Sequence, residues 1–242
     1  MVIAVSAAQS ADWSRFRGPN GSAVSEARGV PTEWSSSKNL AWKTELPGPG
    51  SSSPIIIGDR VFVTCYSGYG TSRGTAGDIN QLRRHLVCVS LSDGKILWDK
   101  SVASKPTEDR FNGFLQDHGY ATSTPTSDGE LVFVFFGKSG VLAFDLDGNQ
   151  RWKTSVGNGS GMNGWGSGSS PILYRNTVIV NAAAEAKSLI ALDKNTGKEA
   201  WRSDADNIYG SWATPVLVDA PNGKTELVLN APHEMWGFDP EN

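Results

Sequence analysis

Asp117, His118 and Tyr120 in one short run, and the isolated indoles Trp165 and Trp212, are the residues of this 242-residue sequence best suited to recognising a ligand. Imidazole is the side chain most easily switched near neutral pH, and Tyr and Trp join a large apolar surface to a polar tip. Each aromatic stands a few residues ahead of a Ser/Thr-Pro step: Tyr120 before Pro125, Trp165 before Pro171, Trp212 before Pro215. Arg73 and Arg84 belong to a Gly-, Ser- and Arg-rich stretch from Ser67 to Arg84 and add cationic groups to the set. A structural reading competes for each residue. The aromatics could cap a core, and Arg83-Arg84-His85 could be a solvated entry to a strand.

Other patterns carry less. Gly159 to Gly164 matches GxGxxG literally, but a dinucleotide site needs a strand before it and a helix after it, and here a strand pattern follows. Cys65 and Cys88 are 23 residues apart on two expected neighbouring strands, either as a disulfide or as two buried thiols. Nothing in the sequence resembles a metal cluster or a haem-attachment motif, and no set of catalytic residues can be named.

These residues are set in a repeat. Val89 to Trp98, Ala143 to Trp152 and Ala191 to Trp201 each read as an apolar run, a Gly turn and a Trp; a fourth copy begins at Trp236 and stops before its Gly and Trp. Upstream, Pro54, Pro125, Pro171 and Pro215 each open an apolar run, followed by a turn and a second, alternating run. The last three prolines are 46 and 44 residues apart, whereas 71 residues separate the first two. Val-, Ile- and Phe-rich runs bounded by Asp-Gly, Asn-Gly or Thr-Gly are hairpin signals. A four-stranded unit of roughly 40–50 residues is the size of a propeller blade. The small residues ahead of each proline suit a crowded innermost strand.

The spacing predicts an all-β propeller with full blades near 52–102, 121–156 and 168–204, and a last unit that stops after three strands. Asn39 to Leu46 reads as a lone fourth strand. It either belongs to the N-terminal part of a larger ring or completes the last unit of a four-bladed one; the first is favoured. Two insertions, Ser67 to Arg84 and Ala103 to Gly119, leave such a blade on a single face, as loops massed for binding do.

The complete pattern Ala191-x-Asp193-x-x-Thr196-Gly197-x-x-x-Trp201 resembles the tryptophan-docking motif of quinoprotein-type (PQQ-like) propeller repeats. The resemblance covers nearly all of residues 40–242 and implies an N-terminal part of a seven- or eight-bladed ring. It implies that Trp98, Trp152 and Trp201 pack between blades and that Asp193, Thr196 and Gly197 stabilise the turn. The turns at Ser90 to Gly94 and Asp145 to Gly148 lack the Thr and read as one residue shorter and tighter. Some members of this family are dehydrogenases that hold pyrroloquinoline quinone and Ca²⁺, with an adjacent Cys-Cys pair against the quinone. No adjacent pair exists here, and no Glu/Asn/Asp set maps onto this sequence. The resemblance therefore points to a non-catalytic scaffold that binds a protein or small ligand, similar to the propeller subunit of the outer-membrane β-barrel assembly machinery. A quinone- and calcium-dependent dehydrogenase with catalytic residues mostly outside this sequence is the alternative, and the sensor region of a larger receptor a third.

Net charge is −3, which gives no bulk attraction to nucleic acid or an anionic membrane. No apolar run approaches the roughly 18 residues of a membrane span. Residues 1–11 resemble the end of an export signal, so the expected location is periplasmic or extracellular in a bacterium. Residues 12–39 form a lead-in that resembles that of secreted PQQ-like propellers and is expected to pack across the outside or bottom of the ring.

Overall fold

The computed structural model describes residues 12–242, so the export-signal reading of 1–11 lies outside the described residues. Proline fixes φ and biases the residue before it toward extended backbone, so each Ser/Thr-Pro step starts a strand. β1 (Ile55–Ile57) follows Pro54 and turns back into β2 (Arg60–Ser67), β3 (Arg83–Ser90) and β4 (Ile96–Ala103). The second blade is β5 (Thr126–Ser127), β6 (Leu131–Phe135), β7 (Val141–Asp145) and β8 (Gln150–Thr154). The third is β9 (Ile172–Tyr174), β10 (Thr177–Ala182), β11 (Ser188–Asp193) and β12 (Glu199–Asp204). β13 (Val216–Asp219), β14 (Thr225–Ala231) and β15 (Glu234–Phe238) form a three-stranded fourth sheet. All neighbours are antiparallel and sequential, and the fold is a β-propeller.

The cores lie between blades, because alternate residues of a strand face opposite neighbours. Val132 and Val134 of β6 pack with Phe62, Leu86 and Cys88 of the first blade, while Phe133 and Phe135 pack with Val178, Val180 and Ile190 of the third. An indole crosses each junction. Trp98 Nε1 donates to the Leu146 carbonyl at 3.0 Å, Trp152 Nε1 to Lys194 at 2.8 Å, and Trp201 Nε1 to Pro240 at 3.1 Å. The receiving turn must be bare where the ring lies. A Cβ on Gly197 would stand 2.6 Å from Trp152 Cε3, and one on Gly148 2.9 Å from Trp98 Cδ2. Asp193 Oδ1 holds that turn by accepting from the Thr196 N–H and hydroxyl, both at 2.8 Å.

Near the axis, the residue before each proline links one blade to the next. The Ser53 N–H donates to Thr124 Oγ1 at 3.0 Å, the Thr124 N–H to Ser170 Oγ at 3.0 Å, and the Ser170 N–H to Thr214 Oγ1 at 2.9 Å. The inner residues are thus small and also hydroxylic, because their backbone donors lack a strand partner on that side.

Several sequence expectations change. Residues 39–46 pair with no sheet; instead Trp42 Nε1 donates to the Leu91 carbonyl at 2.8 Å and its ring covers Gly94, so this segment docks on the first blade and does not complete the last. Only the second turn is shorter. The first closes with bonds from Gly94 to Ser90 and from Ser90 to Lys95, in register with those from Gly197 to Asp193 and from Asp193 to Lys198. Cys65 and Cys88 are free thiols on opposite faces of one sheet, paired across strands with His85 and Phe62, and cannot join. Burial pushes both thiols up to about 11. Of the outside and the bottom of the ring, the lead-in takes the bottom, along the inner edges of the blades beside the β1–β2 and β5–β6 turns: Trp13 exchanges backbone bonds with Ile56 (2.9 and 3.0 Å), and the Ser14 carbonyl accepts from the Ser127 N–H at 2.9 Å. Among the described residues no helix is long and apolar enough to cross a membrane.

Candidate functional site

The second insertion, between β4 and β5, ends in a single helical turn, α1 (Leu115–His118). That turn places Phe114 and His118 over the loop that precedes β9. Phe114, Trp165 and Trp212 form a row of mutually tilted rings with centroid separations of 5.3 and 5.5 Å, and His118 closes its edge 5.9 Å from Phe114. With Thr122 and Gly168 these side chains line a cleft of about 400 Å³. Thr122, Gly168 and Trp212 each stand three residues before the proline of their inner strand, so the cleft lies where the chain enters the inner strands of the second, third and fourth sheets. Trp212 Nε1 is committed to the Gly166 carbonyl at 2.9 Å, which fixes the plane of that ring.

His118 is pinned at both nitrogens. The Trp165 carbonyl, 3.1 Å from Nε2, can only accept, so Nε2 carries the proton and Nδ1 accepts from the Thr122 hydroxyl at 2.9 Å. Burial holds the imidazole below its usual pKa, against the opposing effect of the carbonyls and of Asp117. It is a neutral strut that sets the position of Trp165, and neither nitrogen is left over for proton transfer.

The remaining candidates separate from the cleft. Asp117 pairs with Arg73 across the two insertions, and both line an adjoining groove of about 170 Å³. Tyr120 is buried with Tyr66, Tyr69 and Phe111, and its hydroxyl donates to the Asp109 carbonyl at 2.7 Å. Arg84 and His85 are buried too, so the solvated reading of that cluster does not hold. Arg84 donates from Nε to the Tyr120 carbonyl at 3.0 Å, stands over the Tyr120 ring, and lies 2.8 Å from Glu108. His85 Nδ1 is 2.9 Å from Asp99.

What the sequence did not suggest is the charged layer beneath the cleft. Lys138 is 3 % exposed and spends all three ammonium donors on the second insertion and its neighbour: Thr107 O at 2.8 Å, Asp109 Oδ1 at 2.9 Å and Ser160 Oγ at 2.8 Å. Glu185, in the short helix α2 (Ala183–Ala186), accepts from the Ser167 hydroxyl. Burial, reinforced by Glu108 and opposed by Arg84, pushes its carboxyl up to about 7. Glu108 Oε2, Asp109 Oδ2, Ser123 Oγ and Glu185 Oε2 have no directed hydrogen bond, and the residues bearing them line a buried space of about 30 Å³. A polar space of that size has room for one or two waters. Arg84 and Lys138 therefore hold the second insertion down, and the insertion holds the rim of the cleft.

Residues 79–207 match the family described as outer membrane protein assembly factor BamB. A protein of that name from Alkalilimnicola ehrlichii is 27% identical over 164 residues, which is 64% of this chain and 33% of that protein. Among solved structures, BamB from Moraxella catarrhalis aligns with a TM-score of 0.53 at 18% identity, over 82% of this chain and 49% of that one. Quinohemoprotein alcohol dehydrogenase from Comamonas testosteroni aligns with a TM-score of 0.60 at 14% identity, over 98% of this chain and 40% of that one. At these identities the two solved structures share the fold alone. The chain spans about a third of the curated relative and less than half of either solved chain.

Proposed function

The chain belongs to the outer membrane protein assembly factor BamB family, and from that premise we propose that it is a non-catalytic periplasmic scaffold that docks a protein partner on the face carrying its two insertions. The observation that carries this reading is the aromatic cleft. The tilted rings of Phe114, Trp165 and Trp212 form an apolar recess at a loop-rich face, and aromatic side chains in recesses are the usual anchors of protein interfaces. The buried pairs under the second insertion favour binding without rearrangement, which limits the entropy lost on association. His118 acts by positioning Trp165. Arg73 and Asp117 supply a polar rim.

The quinone and calcium alternative does not fit the residues present. A cofactor of that size needs a pocket of roughly 300 Å³ or more. The carboxylate-bearing cavity measures about 30 Å³ and is already crossed by Arg84 and Lys138. The cleft of about 400 Å³ has the room, but no Asp, Glu, Lys or Arg among its lining residues to hold a metal or a tricarboxylate. The absence of an adjacent cysteine pair agrees.

Site-specific photo-crosslinking tests the reading. A photoreactive residue at Phe114, which is 55% exposed, should trap a discrete protein in bacterial cells, and one at Val24 on the lead-in should not. Trp212→Ala and His118→Ala should each abolish or sharply reduce that adduct. Adducts of equal yield at Phe114 and Val24, or a yield untouched by Trp212→Ala, would refute it. A melting-temperature rise with pyrroloquinoline quinone and Ca²⁺ would favour the dehydrogenase instead.

A further inference from the structure

The lead-in brings two guanidinium groups, without a carboxylate partner among the described residues, to the inner edges of the third and fourth blades. Backbone bonds to Ile56 and Ser127 fix Trp13 and Ser14 across the first two blades, and the Trp13 ring lies against Gly18, where a Cβ would stand 2.8 Å from the indole. Arg15 and Arg17 are carried onward to a cavity of about 220 Å³. Its apolar walls are Phe16, Ile172, Pro215 and Val216, and its cationic wall is the two arginines.

Arg60, Arg73, Arg84, Arg151, Arg175 and Arg202 each have a carboxylate at ion-pair distance. Among the described residues Arg15, Arg17, Arg28, Arg83 and Arg110 do not; Arg83 donates to the Asn80 and Leu82 carbonyls, Arg28 and Arg110 are exposed and apart, and only Arg15 and the exposed Arg17 line a common cavity. Arg15 is half-buried, and its Nε donates to the Gly18 carbonyl at 3.1 Å, while among the described residues no acceptor meets its terminal nitrogens. Taking a cation partly out of water without a counter-ion is costly. Burial accordingly lowers the Arg15 pKa from its ordinary value. Arg17 takes a left-handed φ of +64°, a conformation that a bulky side chain adopts at a cost of roughly 1 kcal/mol. The lead-in is tied down, yet it directs both charges to an opening beside apolar side chains. Val216 and Phe16, 41% and 36% exposed, leave that opening to solvent.

We propose that this cavity binds a carboxylate at the end of an apolar segment, with the carboxylate held by Arg15 and Arg17 and the apolar body against Phe16, Ile172 and Pro215. Guanidinium groups match a carboxylate through paired, charge-assisted hydrogen bonds. The volume is below that of a pocket for a whole drug-sized ligand, so it suits a chain end. A short fatty acid and the C-terminus of a peptide share this chemistry. The cavity has no residue in common with the aromatic cleft, and it stands or falls separately from partner docking there.

Calorimetric titration of the full chain distinguishes the possibilities with four probes: octanoate, octanol, acetyl-Gly-Gly-Leu as the free acid, and the same peptide as its amide. At least one acid should bind, and its neutral analogue should bind tenfold or more weakly. Arg15→Gln and Arg17→Gln should each weaken the acid at least tenfold, while Arg28→Gln leaves it unchanged. Binding of only octanoate, or only the peptide acid, assigns the source of the carboxylate. No binding by either acid up to its solubility, equal binding by acid and neutral probe, or unchanged affinity in both arginine variants would overturn the proposal. The comparison of acid with neutral probe uses the unaltered protein, so it holds even where a variant fails to fold.

Discussion

Replacing Glu185 by Gln should stabilise the protein at pH 8 and change its stability little at pH 5. Glu185 is 5% exposed, receives one hydrogen bond from Ser167 and leaves Oε2 without a partner. Its carboxyl is pushed up from 4.5 to about 7, chiefly by burial. The folded protein therefore keeps the proton through a range in which the unfolded chain has released it. Stability falls as pH rises from about 4.5 to 7 and stays lower above that. Each pKa unit is worth about 1.4 kcal/mol, so the shift corresponds to about 3 kcal/mol at pH 8 and under about 1 kcal/mol at pH 5. Gln mimics the protonated acid: its carbonyl still accepts from Ser167, and it cannot ionise. His118, held below its ordinary pKa, acts the other way, since stability is lost as pH falls through the imidazole range. That contribution is common to both proteins and cancels in their difference. Urea unfolding followed by tryptophan fluorescence at pH 5, 6, 7 and 8 should show the variant gaining about 2–3 kcal/mol on the wild type across the series. A difference that stays flat from pH 5 to 8 would mean that Glu185 does not carry a raised pKa, and the reasoning about the buried layer would fail with it.

Two further predictions concern the blade junctions. Gly197→Ala should cost about 3 kcal/mol, combining a left-handed backbone penalty with overpacking against Trp152; Gly223→Ala, at φ +78° with nothing within 4 Å, should cost only about 1 kcal/mol. Equal losses in thermal denaturation would show that the indole does not press on the turn. Thr124→Val keeps the shape of a residue that is 1% exposed but removes the acceptor for the Ser53 N–H, so it should cost about 1–2 kcal/mol. Thr225→Val, whose hydroxyl meets only Asp219 at an exposed sheet end, should change the denaturation midpoint little.

The blade pattern is legible in the sequence because it rests on backbone rules: proline to open a strand, a Gly turn to close a hairpin, and a Trp at a fixed distance after the Gly. The one docking indole missed, Trp42, followed the same grammar. Trp42-Lys43-Thr44 repeats Trp152-Lys153-Thr154, and Thr44 and Thr154 each donate to a carbonyl of the Gly beneath the indole, Gly94 and Gly197. A strand was expected there, but docking a ring needs an extended chain as much as pairing a strand does. The site was legible only in part, and the reason is geometric. Tyr120, Trp165 and Trp212 stand five, six and three residues before their prolines, and in a loop those offsets fix no common direction. Trp165 and Trp212 meet in the cleft, whereas Tyr120 turns into the core of the insertions. Lys138 and Glu185 gave no signal at all, since a charged residue is by default a surface residue. Only the fold shows that the loops after β6 and β10 bring Lys138 and Glu185 under the second insertion. There, unlike on a surface, each ammonium or guanidinium must find its acceptors within the protein, and it finds them on the insertion that carries Phe114 and His118. The residues that make the cleft rigid are thus the ones least visible in the chain, because their effect depends on contacts between segments roughly 20 to 55 positions apart and on no local pattern.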